Sequence, residues 1–181
     1  MTPRSGVPWV WGARREECGP RRADELVRPG RTPRAMVRAV DVAAPVAVVW
    51  RWLGQLAVAP YSYDWIDNLG RRSPRTLTPG CEEIVVGQRM AIVFTVTHVE
   101  EHPDGARSWS GVTGPRGQSV AGRTGVTYAV LPGASDARSR LVCRMVTDAP
   151  APVAHALAWG DLVMMRKQLL TLAALAAGTA G

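Results

Sequence analysis

The sequence predicts an α+β domain in which one strand and two helices are followed by several antiparallel strands and a long C-terminal helix. Three observations predict it. Apolar residues at helical spacing follow a short strand and Pro45 near the start of the body. Period-two alternation then dominates from Gln88 to Thr147. Beyond Pro150 the pattern is helical again, to about Ala177.

Val37 to Val42 fits the first strand. Pro45 suits the first turn of a helix, where its missing N–H costs nothing. Val48, Val49, Trp52, Leu53 and Leu56 form one apolar face, with Arg51 and Gln55 opposite. Pro60 ends this helix, because the residue before a proline avoids the helical region. Tyr61 to Leu69 reads as a second, short helix, with Asp64 as its N-cap, Asp67 three residues on and Gly70 as its stop. Arg71 to Gly80 is a Pro-containing loop.

Arg89 to Val99 is rich in β-branched residues and sets Ile92, Phe94, Val96 and His98 on one face. Pro103-Asp104-Gly105 is a turn, and Ala106 to Ser110 returns as its hairpin partner. Gly111 to Gly125 holds five glycines and Pro115, which weakens any strand and predicts a long loop. Val126 to Leu131 is a strand with Val126, Tyr128 and Val130 on one side. Arg140 to Thr147 alternates most cleanly. Leu141, Cys143 and Met145 face one way, and Val142, Arg144 and Val146 the other. The final helix carries apolar residues beyond a single stripe, which predicts burial on more than one side, and Gly160-Asp161 is a candidate break with Asp161 as a second N-cap.

A chain of 181 residues is one domain by length. Its net charge of +7 is carried by 21 arginines and one lysine, Lys167. Residues 1–35 hold eight arginines against four acids and read as a basic, Pro/Arg-rich, disordered tail outside the fold, in which Trp9 and Trp11 are unexpected. The domain itself is placed at 36–178. Its mild residual charge does not call for nucleic acid. Cys18, Cys81 and Cys143 match no metal or redox spacing, so no metal and no cofactor is expected, and reduced thiols point to a cytoplasmic protein. The longest apolar run is broken by Arg166-Lys167 and is shorter than the roughly 20 residues of a membrane span. No repeat, nucleotide-binding glycine motif or nucleophile triad is present in a credible setting.

The most informative stretch is Tyr61 to Gly70 (YSYDWIDNLG), with three aromatics and two carboxylates in seven residues of a chain that has one Phe. Together with Val40 to Leu56 (VDVAAPVAVVWRWLGQL) it resembles the actinobacterial branch of the START/Bet v 1-like superfamily, the polyketide cyclase/dehydrase and lipid transport type. The resemblance runs from about Met36 to Ala177. It implies a helix-grip fold, a curved antiparallel sheet wrapped round the long helix with a cavity between them.

Tyr61, Tyr63, Trp65, Phe94, Trp109 and Tyr128 are candidate wall residues, because ring faces bind apolar ligands and tyrosine hydroxyls orient polar ends. Met164 and Met165 suit an adaptable wall. Asp64 and Asp67 are either a carboxylate pair or a capping box. His98 is either a general base or a hydrogen-bonded structural residue. The expected function is binding of an apolar or amphipathic small molecule in an internal cavity, as a carrier or sensor. A cyclase or aromatase using the same cavity and an interaction module working through the basic tail are the alternatives, and no protein partner is specified.

Overall fold

The structure, a computed structural model, describes residues 6–27, 33–115, 118 and 122–180. Among these, seven strands form one curved sheet in the order β1-β2-β7-β6-β5-β4-β3. They are β1 Val10–Trp11, β2 Arg34–Val42, β3 Arg89–Met90, β4 Phe94–Glu101, β5 Arg107–Thr113, β6 Thr124–Pro132 and β7 Ser139–Thr147. Only the β1–β2 pair is parallel. The helices are α1 Arg22–Glu25, α2 Val46–Gly54, α3 Asp64–Asp67 and α4 Ala151–Ala180, with 3-10 turns at Arg15–Cys18 and Gln55–Ala57. This is the α+β helix-grip arrangement that the sequence predicts.

The inner face of the sheet packs on α2 and α4. Val40, Val42, Phe94, Val96, Trp109, Val126, Tyr128, Val130, Leu141 and Cys143 meet Val49, Trp52, Leu53 and Leu56 of the first helical stretch and Leu169, Leu172 and Ala176 of α4. Burying a side chain of this size contributes about 1.5–3 kcal/mol, so this layer is the main apolar driving force of the fold. Trp109 stacks on Tyr128 with ring centroids 4.9 Å apart, and Trp52 meets Tyr61 edge to face. The alternation read in β7 is the one the sheet uses. Leu141 and Cys143 enter this core while Val142 and Val146 lie on the opposite face.

That outer face is also covered, by residues placed outside the domain in the sequence reading. Residues 6–27 run along the sheet as an edge strand, a 3-10 turn and a one-turn helix. Val10 and Cys18 pack with Val37, Ala39 and Val142, and Ala23 and Val27 pack with Ala35 and Val146. Polar anchors fix the layer. Arg140 Nε and Nη2 donate to Glu17 at 2.5 and 2.9 Å. Arg144 Nε and Nη2 both donate to Asp24 at 2.7 Å. Trp9 goes to the inner side, against Met36, Ala154 and Ala158. A Pro/Arg-rich segment cannot build a core of its own, but it can line one that the sheet supplies. Residues 1–5 and 28–32 of that stretch lie outside the described residues.

Other local expectations change as well. Gln55 is fully buried, its side chain accepting from Thr78 N at 2.9 Å and donating to Thr78 O at 3.4 Å. It acts as a backbone mimic for the following loop. β5 and β6 extend into the glycine-rich stretch from both ends, to Thr113 and from Thr124. Gly125 is required there. A Cβ on it would sit 2.6 Å from Ala23 O, where α1 crosses the sheet. Residues 116–117 and 119–121 of the predicted loop are outside the described set.

α4 runs unbroken through Gly160, about 45 Å at 1.5 Å per residue. Its buried positions, Ala154, Ala158, Leu162, Gln168, Leu169, Leu172 and Ala176, lie along one side. Trp159, Val163 and Leu170 are about half exposed. The excess apolar residues therefore face outward rather than into a second buried contact.

Candidate ligand cleft beside the aromatic segment

The segment after α2 is fastened to the helix and sheet by one polar bridge. Tyr128 Oη donates to Gln168 Oε1 at 2.5 Å, and Gln168 Nε2 donates to Pro60 O at 2.6 Å. Ser62 Oγ donates to Met164 O at 3.0 Å. These bonds seat Tyr61 to Trp65 against the middle of α4.

Two open clefts meet there. One, of about 480 Å³, is lined by Val7, Trp11, Tyr63, Leu162, Val163 and Leu170, with Arg166 and Lys167 at its polar side. Arg166 lies over the Trp11 ring at 5.5 Å. The other, of about 270 Å³, is lined by hydroxyls and charges: Tyr61, Ser62, Tyr63, Ser73 and Thr171 with Asp64, Arg75 and Lys167, and with Trp65 beside them. Tyr63 and Lys167 belong to both. The combined site has three cations and one carboxylate, and that carboxylate is engaged, since Asp64 Oδ2 accepts from Ser73 N at 3.0 Å and Oδ1 from Ser73 Oγ at 2.6 Å. The excess charge facing a ligand is positive.

Asp64 thus ties down the downstream loop. It does not cap its own helix, whose N-cap is Tyr63. Burial, with the Asp64 charge adding, pushes the Asp67 carboxyl above the usual range. Tyr61 is 1% exposed, and burial, reinforced by Cys81 and Asp64, pushes its hydroxyl up to about 12. It is therefore a neutral donor near neutral pH. Among the described residues, neither Tyr61 Oη nor Trp109 Nε1 has a hydrogen-bond partner.

The predicted site residues divide into two groups. Tyr63, Asp64 and Trp65 line the clefts, with Tyr61 at their floor. Phe94, Trp109 and Tyr128 are in the core, and Met165, half-buried beside them, accepts from Tyr128 Oη at 3.4 Å through its sulfur. Met164 sulfur accepts from Ser62 at 3.7 Å. Phe94, Trp109 and Tyr128 pack between helix and inner sheet face with Leu169, Leu172 and Ala176 of α4. His98 lies apart from both groups. A bulge between Val96 and His98 shifts the register, so His98 pairs with Ser110 in line with Thr127, which accepts from Ala23 N of α1. It sits on the outer face, hydrogen-bonded to Thr97 at 3.0 Å.

Sequence reasoning missed Arg75, Arg166, Lys167 and Trp11. The signal was present in the basic pair that interrupts the apolar run of α4 and in the chain's single lysine.

A second polar cluster lies deeper. Arg38 Nη2 is 2.8 Å from Asp161 Oδ2, with side chains 1% and 5% exposed. Arg38 also donates to the carbonyls of Pro8, Trp9 and Ala158. Burial pushes the Asp161 carboxyl up to about 6 against the opposing pull of Arg38. Asp161 is therefore a buried ion-pair partner inside α4, not the cap of a second helix. Cys18 and Cys143 are buried free thiols, and Cys81 is half-buried and free.

Among the described residues no helix is long and apolar enough to cross a membrane. No family model and no curated protein matches the chain. It is similar to solved structures that include a norcoclaurine synthase point mutant from Thalictrum flavum in complex with a transition state analogue, at 11% identity over 85% of this chain and 100% of that one, TM-score 0.48. A hypothetical protein from Helicobacter pylori shares 14% identity over 87% and 94% of the two chains, TM-score 0.48. Ara h 8.0201 shares 8% over 81% and 99%, TM-score 0.47. At TM-scores below 0.5 these likenesses assign neither a family nor an activity to the chain.

Proposed function

We propose that the protein binds an amphipathic small molecule with an acidic end, as a carrier or sensor, in the paired clefts beside Tyr61 to Trp65. The observation that carries this reading is the sharing of Tyr63 and Lys167 between an apolar cleft and a hydroxyl- and cation-lined one. A ligand lying across both would set its apolar part on Trp11, Leu162 and Leu170 and its anionic end near Lys167 and Arg75. Such sites gain affinity from apolar burial and orientation from a few polar contacts. The helix-grip architecture and the START/Bet v 1-like resemblance support the same class of ligand.

Cyclase-like chemistry in the same clefts would need a free acid. Asp64, the carboxylate lining them, has both oxygens on Ser73, which favours binding over catalysis. The described part of the basic segment is committed to the sheet, which weighs against a free interaction arm.

Displacement of the fluorescent amphiphile anilinonaphthalene sulfonate tests the proposal. A long-chain carboxylic acid is expected to displace it better than the matching alcohol. Lys167→Met should narrow that preference roughly threefold, the scale of an exposed charge pair. Tyr63→Ala should weaken both ligands. Failure of the probe to bind, or an unchanged acid preference in Lys167→Met, overturns the reading.

A further inference from the structure

The turn formed by α3 and the residues after it carries apolar side chains that the domain leaves outside. Trp65 is 76% exposed, Ile66 51% and Leu69 91%. Single exposed apolar residues are ordinary, but three within five positions form a projecting patch. The backbone is ordered around it. Gly70 N donates to Asp64 O at 2.8 Å, and Asn68 Nδ2 donates to Arg71 O at 2.6 Å. Leu69 takes a left-handed φ of +52°, which a branched side chain rarely adopts. A costly conformation here holds a leucine in solvent.

Charge in the same segment is sorted by side. Its two acids turn inward, with Asp64 on Ser73 and Asp67 Oδ1 buried. Arg71, Arg72 and Arg75 are exposed. The outward charges of residues 61–75 are therefore arginines.

We infer that this tip docks on an anionic bilayer surface, with Trp65, Ile66 and Leu69 entering the headgroup boundary and Arg71, Arg72 and Arg75 on the lipid phosphates. Indole rings favour that boundary. Arginine lays its stem along apolar surface while its guanidinium stays with the headgroups. Each basic residue near an anionic leaflet strengthens binding by roughly fivefold. Trp65 and Arg75 also line the hydroxyl cleft, so docking sets that cleft beside the lipid headgroups. The inference stands on the tip alone and does not need the ligand reading.

Sedimentation of the full chain with phosphatidylcholine vesicles, with and without phosphatidylserine, tests it. Binding is expected on the anionic vesicles, reduced by added salt and weak on the neutral ones. Trp65→Ser with Leu69→Ser should lower it by roughly tenfold or more, since two apolar side chains no longer leave water. Arg71→Gln with Arg72→Gln should lower it roughly 25-fold by the same per-residue scale. Both double variants should keep the thermal midpoint of the parent, because the altered side chains are exposed. No binding to anionic vesicles, or binding that neither double variant weakens, overturns the inference. So does self-association abolished by Trp65→Ser with Leu69→Ser in the absence of lipid binding, which would give the tip to a second copy of the chain.

Discussion

Arg38 is held under α4 by four carbonyls and one carboxylate, that of Asp161. Two buried charges stabilise a fold little in total, because desolvation offsets their attraction, but removing one partner leaves the other uncompensated. Asp161→Ala is therefore expected to cost about 3–5 kcal/mol. Arg38→Met combined with Asp161→Leu should recover most of that. Urea unfolding of the three proteins checks it, and a single variant as stable as the parent would mean the pair is not buried as described. In the sequence, Asp161 after Gly160 looked like a cap. A capping acid and a buried one have the same local signature, and what separates them is a partner on a distant strand. Asp64 was misread for the same reason. Its partner is Ser73, nine residues on, rather than an N–H of its own helix.

The elements with a regular apolar pattern were legible. β7 alternates, α2 carries its apolar stripe, and Pro45 and Pro60 bracket the helical stretch as expected. The rest failed for identifiable reasons. A bulge at Thr97 turns His98 to the outer face, and no alternation pattern announces a bulge. Gly125 inside a strand did signal a close backbone approach, but the approaching backbone is that of Ala23, in a segment whose prolines and arginines erase periodicity. Of the candidate site, the aromatic segment was legible and the cations facing it were not, because they come from α4 and the loop at Arg75. This outer layer makes a sharp prediction. Removing residues 1–33 strips Glu17 and Asp24 from Arg140 and Arg144, which are 5% and 0% exposed. The loss should be at least about 3 kcal/mol, because the apolar contacts of Cys18, Ala23 and Val27 with the outer sheet face go with the segment. Thermal and urea unfolding of the shortened protein measure it, and an unchanged midpoint would show that the layer does not hold the sheet.

At the scale of the whole molecule, two buried acids set opposite pH trends. Burial raises Glu17 but is outweighed by bonds from Arg140 and the Arg14 backbone, so its carboxyl lies below the ordinary value of 4.5. Its contribution is present above that value and is lost as pH falls through the lower folded one. Asp161 is raised from 3.8 to about 6. Folding disfavours its charge, so its penalty is fully present above about 6 and fades towards 3.8. The thermal midpoint should hold or rise slightly between pH 6 and 4.5, then fall on further acidification. Glu17→Gln should flatten the acid limb and leave the upper part intact, as melts across this range would show.

The outer layer also imposes an order on synthesis. Glu17 meets Arg140 across 123 residues of chain, and Asp24 meets Arg144 across 120. At about 5–20 residues per second, residues 6–27 leave the ribosome roughly ten seconds before those partners exist. During that interval β1 already has its partner β2, but Glu17 and Asp24 have no arginine of β7 to meet. Its prolines and arginines give it little structure of its own, so its acids stay in water until the last strand brings Arg140 and Arg144.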